Sequence, residues 1–165
     1  MKVLRIFIEL SYQIRVMYTA LGGTMKFFFS ICFLALVAQA QNSPVGIWLV
    51  GEKDAKIEIY KNGESLEGKI VWLKTPLNPD NSAKLDVKNP DEKLRSRALL
   101  GMVLLKDFKK EDAVAKWSGG TVYDGKSGKT YKGIINQKNT NNLELRGYVG
   151  ISLFGRSDNW TRDDL

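Results

Sequence analysis

The chain has 165 residues, 44% hydrophobic and 26% charged. These are ordinary globular values, and they exclude disordered and collagen-like chains. At roughly 100–200 residues per domain there is room for one domain and no second catalytic module. There is no histidine and a single cysteine, Cys32. A Ser-His-Asp or Cys-His mechanism is therefore excluded, as are an internal disulfide and a zinc site of the usual nitrogen and sulfur ligands.

Residues 25–40 read MKFFFSICFLALVAQA. A start methionine and a lysine precede an apolar run, and Ala38-Gln39-Ala40 is a small-x-small cleavage site, which is the layout of a secretory signal peptide. The run from Phe27 to Val37 falls short of the ~20 residues a bilayer span needs. Translation is expected to begin at Met25, with 1–24 an upstream extension, cleavage near Ala40 and export to a bacterial periplasm or the cell exterior. Residues 41–165 then form one domain. The leader takes Lys2, Arg5, Arg15, Lys26 and Glu9, so 25 basic and 18 acidic residues become 21 and 17, a net of +4. The signs alternate without a basic block, so nucleic acid is not an expected partner.

From there the pattern is β throughout. Val45 to Val50 is a short apolar strand. Lys56 to Lys61 alternates, with Ile57 and Ile59 on one face. Asn62-Gly63 is a strong hairpin signal. Ser65 to Leu73 returns, with Leu66, Ile70 and Trp72 on one face and an interior Gly68 that marks a bulge or a tight bend. Residues 74–98 interrupt the strands and contain Pro76, Pro79 and Pro90. A loop this long is often functional. Within it Asn89-Pro90-Asp91-Glu92 has the start signals of a short helix over about 90–96. Asp86 and Asn89 are also suited to holding the loop through side-chain bonds and the helix cap.

Strand character resumes at Leu99 to Phe108. Ala113 to Ser118, Thr121 to Tyr123, Thr130 to Asn136, Leu143 to Val149 and Ser157 to Arg162 follow, separated by Gly-, Asn- and Asp-rich turns. Turns every 8–12 residues suit an antiparallel all-β fold. A small up-and-down barrel of about eight strands leaves no open sheet edge. Its interior is either filled by side chains or holds one small ligand, and the strand pattern is compatible with both.

Several motifs occur together and in order. They are Gly46-Ile47-Trp48, Gly68 to Leu73, Asp86 with Asn89-Pro90-Asp91, Leu94-Arg95-Ser96-Arg97 and Leu99-Leu100-Gly101. Gly119 to Asp124, Gly128 to Tyr131, Leu145 to Tyr148, Phe154-Gly155-Arg156 and Trp160-Thr161-Arg162 complete the series. This chain resembles the bacterial domain-of-unknown-function family 2147, a group of small exported proteins, over nearly all of 44–162. The resemblance implies a lipocalin-like (calycin) barrel and no established activity. In that superfamily an arginine of the last strand packs on the first-strand tryptophan and closes one end. Here the resemblance implies Trp48 with Arg162, and Arg146 as second choice.

Trp72, Tyr123, Tyr131, Tyr148 and Trp160 are the candidates to line a cavity, since small-molecule sites are apolar and aromatic with a few polar groups. Arg95, Arg97, Arg146 and Arg156 can clamp a carboxylate or phosphate, or pair with Asp86, Asp91 or Asp158 on the surface. Arg146 and Tyr148 share a strand face and make an anion-plus-ring site if that face points inward. If Leu143, Leu145 and Val149 point inward instead, both lie outside. Asn78, Asp80 and Ser82 alternate like the start of a calcium loop but lack its glycine and closing glutamate. No cofactor, metal or catalytic residue is expected. The expected partner is a small lipophilic ligand bound by a monomer. The alternative is a filled barrel that engages a cell-envelope protein.

Overall fold

The computed structural model describes residues 43–112 and 114–164. The expected leader over 25–40, and residues 1–24 before it, lie outside the described residues. Eight strands follow one another: β1 (Gly46–Leu49), β2 (Ala55–Asn62), β3 (Ser65–Leu73), β4 (Val103–Lys110), β5 (Lys116–Asp124), β6 (Lys129–Asn139), β7 (Asn142–Tyr148) and β8 (Gly155–Asp163). Each pairs antiparallel with the next, and β1 pairs with β8, so the sheet is a closed up-and-down barrel. This is the expected architecture. Closure leaves no strand edge open to another chain.

The hairpin at Asn62-Gly63 forms where the sequence places it. Asn62 faces Ser65 across a two-residue loop, and Gly63 takes φ 60°, the backbone region that glycine enters without a Cβ clash. The other tight connections join β4 to β5 and β6 to β7 at the same end of the barrel. The opposite end carries the segments 50–54, 74–102, 125–128 and 149–154, of which 74–102 and 149–154 exceed every connection at the first end.

Three of the barrel's bulges set the inward faces of β3, β4 and β5. In β3 the register against β2 slips between Lys56 and Ile57, so Ile57 faces Ile70 while Lys56 faces Trp72. Val71 is the extra residue, and beyond it the faces exchange. The other two lie opposite each other in β4 and β5, where Asp107 takes φ 61° and Gly119 φ 76°. They space Leu105 from Phe108, and Trp117 from Gly120, by three residues rather than two. All four nevertheless point inward and are buried. The Gly119-Gly120 pair therefore bulges a single strand; it does not end one strand and start another.

Two other expectations are corrected. The helix expected near 90–96 is a single 3-10 turn, Glu92–Leu94, whose N-cap is Asp91; Asn89 instead accepts the Asp91 N–H through its side chain. The strand expected from Leu99 begins at Val103. Residues 99–102 turn so that Gly101 N–H donates to Ile70 O and Met102 O accepts from Ile70 N–H.

Candidate ligand-binding cavity

The two ends of the barrel are built differently. At the end with the short turns, Trp48 is fully buried and donates its indole N–H to Pro44 O at 2.7 Å. The Arg162 guanidinium lies 4.3 Å from the centre of the Trp48 ring. It donates to Thr140 O, Val45 O and Ser43 O. A Cβ at Gly46 would overlap that guanidinium, so the Gly-x-Trp spacing is a steric requirement of the stack. Above this plug Ile59, Leu66, Leu105, Phe108, Ile135 and Leu143 fill the interior. Phe108 occupies the space a side chain would need at Gly120 and Gly133, and Leu105 does the same over Gly68.

At the other end the interior is hollow. A cavity of about 530 Å³ opens between the longer loops. Its walls are chiefly apolar: Ile57, Ile70, Met102, Leu104, Val122 and Leu145, with the buried Trp160 among them. Alternation supplies Ile57, Ile70, Val122, Leu145 and Trp160; a register shift between Gly68 and Lys69 brings Leu104 in beside Leu105, and Leu73 joins them because of the bulge at Val71. Tyr123, Tyr131 and Tyr148 line it too, as do Asp158, which accepts the Trp160 indole N–H at 2.7 Å, and Arg156. The Arg156 guanidinium has no ion-pair or hydrogen-bond partner among the described residues. At the rim Lys126 bridges Asp54 and Glu52. The hydrogen bonds to Asp54 and then Glu52 raise the pKa of its ammonium well above the usual lysine range.

The long loop is tied to this mouth by one buried carboxylate. Asp86 has no exposed surface. It accepts hydrogen bonds from the Tyr123 hydroxyl, from Asn89 Nδ2 at 2.7 Å, and from Arg97 Nε at 3.0 Å and Nη2 at 2.8 Å. Burial opposes its ionisation. The donors from Tyr123, Asn89 and Arg97 outweigh burial, so the carboxyl titrates below the usual carboxylate range. Burial first, and the bond to Asp86 second, push the Tyr123 hydroxyl upward. Arg97 also lies over the Tyr123 ring at 5.4 Å. Arg95 Nε donates to Asn89 O while its Nη1 pairs with Glu92. The loop residues Asp86, Asn89, Arg95 and Arg97 thus bond chiefly to each other and to β5.

The sequence-derived candidates divide accordingly. Tyr123, Tyr131, Tyr148 and Trp160 come together around the cavity. Trp72 does not: the bulge at Val71 turns it outward, where it is 37% exposed with Lys56 Nζ over its ring at 5.7 Å. Arg146 is outside as well. Leu143 and Leu145 take the inward face of β7, and Arg146 donates to Ser152 O, Leu153 O and Ser157 Oγ. Tyr148 nevertheless reaches the rim from the strand end, while Val149 is exposed there. Asn78, Asp80 and Ser82 bond to one another as a turn, and no cluster of metal-ligating side chains occurs among the described residues. Sequence reasoning missed the Lys126–Asp54–Glu52 bridge, whose members come from loops far apart in the chain. It also missed the shared inward face of Arg156, Asp158 and Trp160. Their i, i+2 spacing was the available signal for that.

The family description "Uncharacterized protein conserved in bacteria (DUF2147)" matches residues 46–162. The chain belongs to this family. The match runs from the glycine before Trp48 to Arg162, so it spans both ends of the DUF2147 barrel. Among solved structures the chain is similar to a Helicobacter pylori protein described as belonging to the lipocalin family. The TM-score is 0.64 and the identity 26%, over 74% of this chain and 84% of that one. No curated protein matches.

Proposed function

We propose that this DUF2147 barrel is an exported carrier of a small apolar or amphipathic molecule, held in the hollow half of its interior. The observation that supports the reading is the cavity. Its volume of about 530 Å³ falls within the roughly 300–1,000 Å³ of small-molecule sites, and such sites are apolar with a few polar groups. An apolar body would lie against Ile57, Ile70, Leu104 and Trp160. A polar end would face the mouth, toward Arg156, Tyr131 and the Lys126 bridge. The cavity also favours a ligand over the filled-barrel alternative. The lipocalin-like architecture agrees with this reading, and the apolar run 27–37 with its Ala38-Gln39-Ala40 site supports export.

Titration with the apolar fluorophore 1-anilinonaphthalene-8-sulfonate tests the proposal, read by quenching of protein tryptophan emission. Trp160 lines the cavity and Trp72 does not, so quenching should shrink in Trp160→Phe and persist in Trp72→Phe. Dodecanoate or another amphiphile should displace the probe. An absence of binding, or quenching that vanishes only with Trp72, would overturn the reading. Recovery of a periplasmic form starting at Gln41 is the expected result for export; a full-length cytoplasmic product would contradict it.

A further inference from the structure

The loop between β7 and β8 is unlike the rest of the surface. Within six residues Val149, Ile151, Leu153 and Phe154 are 70%, 61%, 76% and 78% exposed. Single exposed apolar residues are ordinary, but a contiguous group marks an interaction site. This group stands at the mouth, since Val149 and Phe154 also line the cavity.

Its polar surroundings narrow the occupant. No Asp or Glu lies between Glu144 and Asp158. Arg146 and Arg156 flank the loop, and Lys132 sits opposite Tyr148 at its base. None of the three has a carboxylate partner among the described residues. Three carbonyls of the loop are already bonded from within. Ile151 O accepts from Phe154 N–H, Ser152 O from Arg146 Nε, and Leu153 O from Arg146 Nη2. Hydrocarbon supplies no donors to free carbonyls, and these three reach the acyl boundary with their bonds made. Exposed apolar side chains, a collar of cations without carboxylate partners and bonded carbonyls at the loop's tip together suit the interface of an anionic bilayer.

We infer that the 149–154 loop docks the open end of the barrel onto an anionic membrane surface, with Ile151, Leu153 and Phe154 in the acyl boundary and Arg146, Arg156 and Lys132 among the headgroups. The mouth then faces the bilayer. A lipophilic ligand could pass between membrane and cavity without crossing water, although docking itself does not require the cavity to be occupied.

The test uses the full chain with a local probe. The environment-sensitive dye NBD is placed at Leu153→Cys in a Cys32→Ser background, which removes the chain's one cysteine. A control carries it at Asn141→Cys, in the turn at the opposite end. Vesicles of phosphatidylcholine are compared with vesicles containing phosphatidylglycerol. The expected result is a blue shift at position 153 with the anionic vesicles only, none at 141, and reversal by salt, which shortens the screening length to about 3 Å at 1 M. Arg156→Gln should weaken the response roughly fivefold, the equivalent of about 1 kcal/mol per basic residue near such a surface. Ile151→Asp with Leu153→Asp, read by vesicle sedimentation, should weaken binding at least roughly tenfold. Both side chains lie outside the cavity wall, so that variant should keep its fluorophore titration, which separates failure of docking from failure of the carrier reading. A dye at 153 that stays in water with both vesicles, or responds equally at 141, overturns the inference. Response of that dye only to a purified protein would assign the loop to a protein partner instead, and would also overturn it.

Discussion

Gly133 and Gly147 are paired neighbours on β6 and β7, yet they belong to two different regions. A Cβ at Gly133 would lie about 2.4 Å from Phe108 Cζ, whereas one at Gly147 would meet only Tyr131 at 3.6 Å, an ordinary contact. Within a single strand pair the interior passes from close-packed to open. The packed half is plugged by Trp48 and Arg162 and filled by Phe108 and its neighbours. The hollow half is walled by aliphatic residues, Trp160 and three tyrosines, with polar contacts at the rim. One half holds the barrel together, which leaves the other free to remain empty.

That contrast orders the expected effects of substitution. The largest belongs to the plug. Trp48→Ala removes a fully buried indole and should cost about 3–5 kcal/mol. In a domain of marginal stability this should appear as a large drop in the urea midpoint, or as loss of soluble protein. A Trp48→Ala protein as stable as the parent would mean that the packed half is not what carries the fold.

Next comes the carboxylate that ties the long loop. Asp86→Ala leaves Arg97, Asn89 and Tyr123 without their acceptor and should cost about 3 kcal/mol. Hydrogen exchange should rise across 74–98 more than in β1 and β8. Acid should imitate it, with the sign set by the direction of the shift. The folded-state pKa is depressed, so the contribution is complete above the unfolded value of about 3.9. It is lost as pH falls through the lower folded value. The loop should therefore loosen only below the ordinary carboxylate range, and Asp86→Ala should abolish that acid step.

The glycine pair gives a closer comparison with the same chemical change on each side. Gly133→Ala should cost about 1–3 kcal/mol by overpacking against Phe108. Gly147→Ala should stay within about 0.5 kcal/mol. Gly147→Phe, projecting into the cavity, should suppress fluorophore binding. Equal thermal shifts for the two alanine variants would erase the distinction between the halves. The smallest effect is expected at Trp72. Its outward ring and the Lys56 contact should contribute only about 0.5–1 kcal/mol, so Trp72→Ala should leave ligand binding unchanged in the same titration.

Much of the fold was legible because strand alternation and turn chemistry are local. The Asn62-Gly63 hairpin, the alternating Ile57 and Ile59, and the Asn-rich turn after β6 all sit where their residues indicate. The site was legible in part. Tyr123, Tyr131, Tyr148 and Trp160 reach the cavity, but Trp72 and Arg146 do not. The reason for Trp72 is phase. A face read at a period of two holds only until a bulge intervenes, and nothing at Val71 marks one. The β5 bulge was visible as Gly119-Gly120 but reads equally well as a break between strands. Arg146 required knowing that Leu143 and Leu145 win the inward face of β7.

Composition and pattern by themselves determined that this is an all-β chain of about eight strands, without histidine or thiol–imidazole chemistry and with the motifs of its family. These are properties of residue type and short spacing. Only the tertiary structure decided that half the interior is empty, that Asp86 is buried against Tyr123, and that four exposed apolar residues gather at the mouth. The first two depend on volumes and groups brought together from distant strands, and the third on where the fold leaves one six-residue loop. Whether Phe108 fills a space is decided by Gly120 and Gly133 opposite it, and no local pattern contains that sum.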